Sequence, residues 1–419
     1  MLLTTVVLTE DQQNAYDKMV EFILSPTDNV FVLTGYAGTG KSTLISKLKE
    51  NFSSLIATKK LISGVTHERE ELALNFTATT NKAAEALASI VDEEVTTVHS
   101  FLQIRIKKDY QTNKSELNTT NVKECAPMVL VVDEASYIDN QLLDVIMSVT
   151  AKVKVIFVGD ASQLTPVSHK HSPVFARNWP SAKLEKVVRQ ADGNPIIELS
   201  QSFRNVVNGG DFFSFVPDGK AIHHLNDVDF QTAIQGEFSR DTWTQKDSKI
   251  LAWTNKTVIA YNETVNKVIS GSSAFSAGDY AICNEYFPRR TGRGLKTGES
   301  VLIHQVAPAT EHGVEGYHIT LSDRYTHFMP KNITDKQKRV AQARKTKALS
   351  IIEDINKNWI DLRAAYACTI NKAQGSTYDA VFIDLDDVSR CRNPNQLARM
   401  LYVAVSRAAK TIYFKGDIV

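Results

Sequence analysis

The sequence predicts an α/β protein with two parallel-sheet domains in tandem. Three observations carry that prediction. Short apolar runs of strand length recur at 29–34, 128–132 and 153–158, each followed closely by Asp or Gly. Helical segments lie between them, as a parallel sheet covered on both faces requires. The rhythm then returns at 249–253, 380–385 and 411–415, which makes the second domain.

Length and composition agree. At roughly 150 residues per domain, 419 residues suggest about three domains and allow a sizeable buried core. Lys plus Arg is 48 and Asp plus Glu is 47, a net charge of +1, which excludes a histone-like protein coated in positive charge. A positive cleft can still hide inside a balanced total. No apolar run reaches the ~18 residues of a membrane span. The start, Met1-Leu2-Leu3-Thr4-Thr5, lacks the basic region of a secretion signal. Cys125, Cys283, Cys368 and Cys391 lie far apart with no C-x-x-C pair. They predict neither zinc site nor disulfide framework, and so a reducing, cytoplasmic setting.

Taken in order, the first strand, 29–34, runs into Gly35-Tyr36-Ala37-Gly38-Thr39-Gly40-Lys41-Ser42, with a helical stretch from Lys41. This is G-x-x-x-x-G-K-[ST] in its required strand–loop–helix context. The glycines let backbone amides turn toward a phosphate, and the helix N-terminus adds positive potential. Lys41 is placed for the β/γ-phosphates and Ser42 for magnesium. A hairpin is expected at 103–122, where Ile104–Tyr110 alternate before a polar turn at 111–115.

The strand 128–132 ends in Asp133-Glu134. Asp133 is placed to hold magnesium and Glu134 to polarise the attacking water as general base. Two acids after a strand are otherwise a solvated strand end; the P-loop is what gives them a partner. The strand 153–158 leads to Gly159-Asp160 and then Gln163, a candidate γ-phosphate contact unless it is a locally bonded loop amide. His169-Lys170-His171 reads as solvated loop or as a metal pair without a third ligand. Short-strand signals at 279–283, 300–303 and 316–321 suggest a small β-barrel. A long helix, 334–359, follows. Its first half carries Lys336, Lys338, Arg339, Arg344, Lys345 and Lys347, a solvated face or a nucleic-acid contact.

These motifs, in this order, resemble a superfamily 1 helicase, and further matches extend over nearly the whole chain. Leu8-Thr9-Glu10-Asp11-Gln12 looks like the Q motif, Thr77–Ala84 like motif Ia, and Thr96–Leu102 like the T-x-H-S-x-L segment. Leu184–Gln190 looks like motif IV with Arg189, and Ala252–Lys256 like the opening of a second motor domain. Thr369–Ser376 looks like motif V and Leu401–Ala408 like motif VI with Arg407. The set is most similar to the B subgroup, the RecD-like and Dda-like enzymes. Asn371 stands where that family usually has His in motif V, and Ser406 replaces the commoner Thr. Asn can donate to a phosphate but cannot carry a proton.

The resemblance implies two RecA-like P-loop domains, 1A over 1–102 and 123–187 and 2A over 188–277 and 360–419. It further implies a pin hairpin 1B over 103–122 and an SH3-like barrel with helical tower, 2B, over 278–359. It implies ATP and Mg2+ as cofactors, with Gln12, Gly35, Gly38, Thr39, Gly40, Lys41, Ser42, Thr43 and Gly375 at the nucleotide. Gln12 would read the adenine edge, and Arg189 and Arg407 would act as arginine fingers. Thr80, His99, Thr254, Asn255, Thr369, Asn371 and Lys372 would contact single-stranded DNA, and Tyr110 at the pin would meet the last base pair or lie on the surface. The implied activity is ATP-driven 5′-to-3′ translocation with duplex unwinding in phage replication or recombination. The implied protein is a monomer acting on single strands and duplex junctions, with a single-strand-binding protein as candidate partner, in host cytoplasm if viral. The competing reading is a P-loop ATPase or nucleotide kinase acting on a small molecule without DNA.

Overall fold

The computed structural model describes residues 7–63, 72–108, 115–164, 172–186, 194–271, 275–288 and 294–418. They fall into two compact units, Met1–Phe213 with Ala398–Ser406, and Ser214–Leu397 with Arg407–Val419.

The first unit contains strands β1 (Val30–Gly35), β2 (Ala73–Ala78) and β3 (Thr96–Thr97), then β4 (Arg105–Lys108) and β5 (Ser115–Asn118), then β6 (Met128–Asp133), β7 (Lys154–Gly159) and β8 (Ser181–Leu184). Six of them form one sheet in the order β3-β2-β6-β7-β1-β8. Every neighbouring pair in it is parallel. The helices are α1 (Glu10–Leu24), α2 (Lys41–Ser63), α3 (Asn81–Val91), α4 (Val98–Phe101), α5 (Asn140–Val149) and α6 (Pro195–Val207). Side chains alternate across a strand, yet residues 30–33 of β1 are an unbroken apolar, buried run because both faces are covered. Phe31 and Leu33 join Met19, Leu48 and Leu87 on one face; Val30 and Val32 join Leu143, Ile146 and Phe157 on the other. Burying one such side chain contributes ~1.5–3 kcal/mol. β4 and β5 pair antiparallel, with Ile106 opposite Leu117. Tyr110, at the expected turn, lies outside the described residues.

The second unit holds two sheets. Its strands are β9 (Ile222–Leu225), β10 (Ser248–Ala252), β11 (Tyr280–Cys283), β12 (Ser300–Glu311), β13 (Val314–Leu321), β14 (Thr326–Pro330), β15 (Leu362–Ala364), β16 (Ala367–Thr369), β17 (Tyr378–Asp384) and β18 (Ala408–Lys415). A parallel sheet runs β16-β10-β17-β18-β9, and a separate five-stranded sheet runs β14-β13-β12-β11-β15 with antiparallel pairing. Helices are α7 (Asp227–Phe238), α8 (Asn255–Ser270), α9 (Ile333–Lys345), α10 (Leu349–Asn358), α11 (Ile370–Ala373), α12 (Leu385–Val388) and α13 (Pro394–Val405). From Ala398 onward, α13 belongs to the first unit. The two parallel sheets are the tandem RecA-like layers that the sequence predicts.

The single long helix expected over 334–359 is instead two helices. Thr346 closes α9, and Lys347 turns the chain through the left-handed region at φ +54°. The break has a physical reason. α9 is largely polar, whereas α10 must turn Ile355 inward, and Trp359 behind it packs on Phe328 with ring centroids 4.7 Å apart. A straight continuation would carry that apolar stripe past its partner. The four cysteines are free thiols, in line with the sequence. Among the described residues no helix is long and apolar enough to cross a membrane.

Candidate nucleotide site and nucleic-acid contacts

β1 ends at Gly35 and α2 begins at Lys41, so the P-loop is a five-residue turn between them. Gly38 and Gly40 take φ +80° and +90°, which L side chains rarely adopt. A Cβ on Gly40 would also lie 2.2 Å from Gln12 Nε2. Gln12 is buried and occupied: Nε2 donates to Thr39 O at 3.0 Å, and Oε1 accepts the Thr9 amide in the capping box of α1. The residue predicted to read adenine therefore ties the first helix to the P-loop. Thr39 is buried as well, its hydroxyl donating to Tyr36 O at 2.9 Å. Lys41 Nζ donates to Gly35 O (2.6 Å) and Tyr36 O (2.9 Å). Ser42 and Thr43 stand on the first turn of α2, both half-buried.

Gly40→Ala is expected to cost about 1–3 kcal/mol in strained backbone and to displace Gln12. Thermal melting and nucleotide titration should both fall; unchanged values would mean that the loop relaxes around the methyl group.

β6 delivers the acidic pair. Burial raises the Asp133 carboxyl above its ordinary value; the Glu134 amide bonded to Oδ1 at 2.8 Å and the Lys41 charge oppose that rise. Glu134 sits in the left-handed region, φ +53° and ψ +43°, at the head of a 3-10 turn. Its carbonyl accepts the Thr79 hydroxyl (2.9 Å) and the Tyr137 amide (3.1 Å), so the strained backbone is held from two directions. Asp160 follows β7, and Gln163 is buried, with its amide donating to Asp160 O at 3.1 Å. Arg189, His169 and His171 lie outside the described residues.

The predicted nucleic-acid threonines share one local geometry. Thr80 caps α3 by accepting the Ala83 amide, Thr254 caps α8 through Thr257, and Thr369 caps α11 through Lys372. Each stands at or just past the carboxyl end of a strand, where sequence type alone does not separate a helix cap from a ligand. His99 lies half-buried in α4; burial pushes its pKa down and Asp139 opposes this. Thr254 is further engaged by buried Asp387. That carboxylate accepts the amides of Trp253 (2.7 Å) and Thr254 (2.8 Å) and the hydroxyls of Thr254 (2.8 Å) and Thr257 (2.7 Å). Burial alone would raise the Asp387 pKa, but these bonds hold it below the ordinary value.

In the second unit a groove of about 570 Å³ gathers Asn255, Thr369 and Lys372, three of the predicted residues. It adds Asn284, Tyr317, Lys331 and Arg363, which the sequence reading missed. Lys372 Nζ donates to Asn284 Oδ1 at 3.3 Å. The missed residues come from the antiparallel sheet and its surrounding loops, 85 or so residues from motif V for Asn284, and no local spacing links them. Asn371 is exposed on α11. Arg407 is buried, with Nη1 donating to Ser376 O at 3.1 Å, in the turn that holds Gly375 at φ +76°.

A P-loop lysine, a following Asp–Glu pair and a parallel sheet that carries both at its strand ends define a P-loop nucleoside-triphosphatase. The AAA domain family model matches residues 7–227, more than half the chain, and a UvrD-like helicase C-terminal domain matches 364–414. The chain belongs to the AAA-domain family, and its C-terminal match and its relatives are consistent with a superfamily 1B helicase. It is 25% identical to the ATP-dependent DNA helicase dda of Enterobacteria phage T4, over 66% of this chain and 61% of that protein. It is 26% identical to the ATP-dependent DNA helicase Pif1 of Bdellovibrio bacteriovorus, over 98% and 88%. The crystal structure of Pif1 helicase from Bacteroides with ADP-AlF3 and ssDNA shares the fold, with TM-score 0.51, 17% identity, and 99% of this chain and 93% of that chain covered.

Proposed function

We propose that this protein is an ATP-driven motor that moves 5′ to 3′ along single-stranded DNA and unwinds the duplex ahead of it. The observation that carries this reading is one chain holding both a P-loop with an acidic pair and a second parallel sheet ending in the UvrD-like segment. A small-molecule ATPase needs only the first. The polarity follows from the B-subgroup resemblance.

The hard oxygen donors of Ser42 and Asp133 suit magnesium, which typically keeps substrate phosphates and water as its other ligands. When bound, magnesium neutralises charge on the phosphates. Lys41 would leave its loop carbonyls for the β/γ-phosphates. Gln163 would face the γ-phosphate, and Glu134 would take a proton from the attacking water. Arg189 and Arg407 are assigned as arginine fingers, which stabilise charge developing on the transferred phosphoryl group. Thr80, His99, Thr254, Asn255, Thr369, Asn371 and Lys372 are assigned to the DNA backbone, with main-chain amides at the capped helix starts beside them. The β4–β5 hairpin is assigned as the separating pin, and Tyr110, which falls between the two strands in sequence, is assigned to the last base pair. The antiparallel sheet is assigned as an SH3-like barrel and the α9–α10 pair as its tower. We place the protein in phage replication or recombination, acting as a monomer in host cytoplasm beside a single-strand-binding protein.

The test is ATP hydrolysis with and without single-stranded DNA, beside unwinding of duplexes with a 5′ or a 3′ tail. Stimulated hydrolysis with unwinding from the 5′ tail alone is the expected result. Unwinding from the 3′ tail would overturn the polarity, and hydrolysis indifferent to DNA would overturn the motor.

A further inference from the structure

α13 is an apolar helix with two buried polar side chains on one face. Arg399 and Tyr402, three residues apart, are 3% and 2% exposed. Arg399 Nη1 donates to Ala161 O and to Gln163 O, both at 2.7 Å. The Tyr402 hydroxyl donates to Asp160 Oδ2 at 2.6 Å and accepts the Ala37 amide at 3.3 Å. Asp160 is itself buried, and its Oδ1 accepts the Ser162 amide at 2.9 Å. These bonds end on two loops, the one after β7, residues 160–163, and the P-loop. A buried guanidinium and a buried phenol are costly unless their groups are satisfied, and here these four bonds reach the segments around the phosphate site.

We propose that Arg399 and Tyr402 are positioning residues for ATP hydrolysis, which lock the 160–163 loop to the P-loop so that Gln163 and the phosphate cradle share one register. The proposal rests on the reading of Gln163 as the residue that faces the γ-phosphate. Neither side chain need touch nucleotide. Arg399 sets the Gln163 main chain directly; Tyr402 bridges Asp160 and Ala37, so that a shift of either loop strains the other. Both bonds leave one nitrogen, Nη1; a lysine at 399 keeps the charge, but its side chain ends one bond short of that nitrogen.

The test uses the full chain with Tyr402→Phe, Asp160→Asn, the double variant and Arg399→Lys. Turnover with single-stranded DNA, KM for ATP, ADP affinity and melting temperature are measured for each. Tyr402→Phe keeps the ring packing and removes only the hydroxyl. A positioning role predicts kcat reduced ~10–100-fold, the scale of a small misplacement, with KM nearly unchanged and a kcat loss larger than the melting shift from the stranded Asp160 carboxylate accounts for. The double variant should be no slower than the slower single, because both remove one interaction. Arg399→Lys should lower kcat in the same way. Unchanged kcat, or a loss that only tracks melting temperature, would overturn the proposal. Losses that multiply in the double variant would overturn the shared bridge. Failure of the underlying reading looks different: Gln163→Ala would leave kcat intact while Tyr402→Phe lowered it, and the positioning role would then not run through Gln163.

Discussion

Replacing Glu134 by Gln is expected to leave nucleotide binding intact and to slow ATP hydrolysis by ~100-fold or more, the range for loss of a general base. Gln keeps the shape of Glu and its hydrogen-bonding reach, but its amide cannot take a proton from water. The backbone argument makes the comparison clean. Glu134 is held at φ +53° by the Thr79 hydroxyl and the Tyr137 amide on its carbonyl. Those contacts are main-chain contacts at position 134 and do not depend on which side chain stands there. Single-turnover hydrolysis beside titration with a fluorescent ATP analogue separates the two effects. Turnover at the wild-type rate would remove Glu134 from the base role, and lost binding would assign it to the cradle instead.

Asp387→Ala is expected to destabilise the second unit by about 3 kcal/mol, because it removes a buried carboxylate on which four part-buried donors converge. The side chain is 2% exposed and accepts two amides and two hydroxyls from 253–257, the junction between β10 and α8. For a unit of about 200 residues that corresponds to a fall in melting temperature of roughly 6–12 °C. Asp387→Asn should do less, since one oxygen acceptor remains. The acid dependence has a definite sign. The folded-state pKa is depressed, so the stabilisation is fully present above the unfolded value of about 3.9. It disappears as pH falls through the folded value. The Asn variant should therefore lose less stability than the wild type below about pH 4. Parallel acid-melting curves would show instead that the carboxylate is not ionised in this network.

What the sequence disclosed follows burial. β1, β6 and β7 are legible because both of their faces are covered, which turns alternation into an unbroken apolar run. β3 has two residues, and β8 alternates buried Ala182 and Leu184 with exposed Ser181 and Lys183. Neither carries enough signal to be seen before the sheet is assembled. The P-loop and the acidic pair are legible because their chemistry fixes residue types at fixed spacing. The threonines were legible both as motif members and, being threonines at strand ends, as caps; which amide each accepts was not. Arg399 and Tyr402 left a trace that could have been read, two polar residues at i and i+3 inside an apolar helix. Nothing in that trace says which loops they meet. The Lys347 break was hidden because six basic residues in a helix-forming composition read the same whether the helix is one piece or two.

The two hydrogen bonds from Lys41 to the carbonyls of Gly35 and Tyr36 have a kinetic consequence. An ammonium with partners of its own is an internal competitor for the site. An arriving polyphosphate must exchange those bonds, so association should run below the encounter rate, and an anion of low charge gains little from the exchange. Departure runs the same trade in reverse. A leaving product does not strand an unsatisfied cation, because the loop takes the lysine back. The same self-contact that slows loading thus eases release, a property suited to a catalyst that must turn over many times.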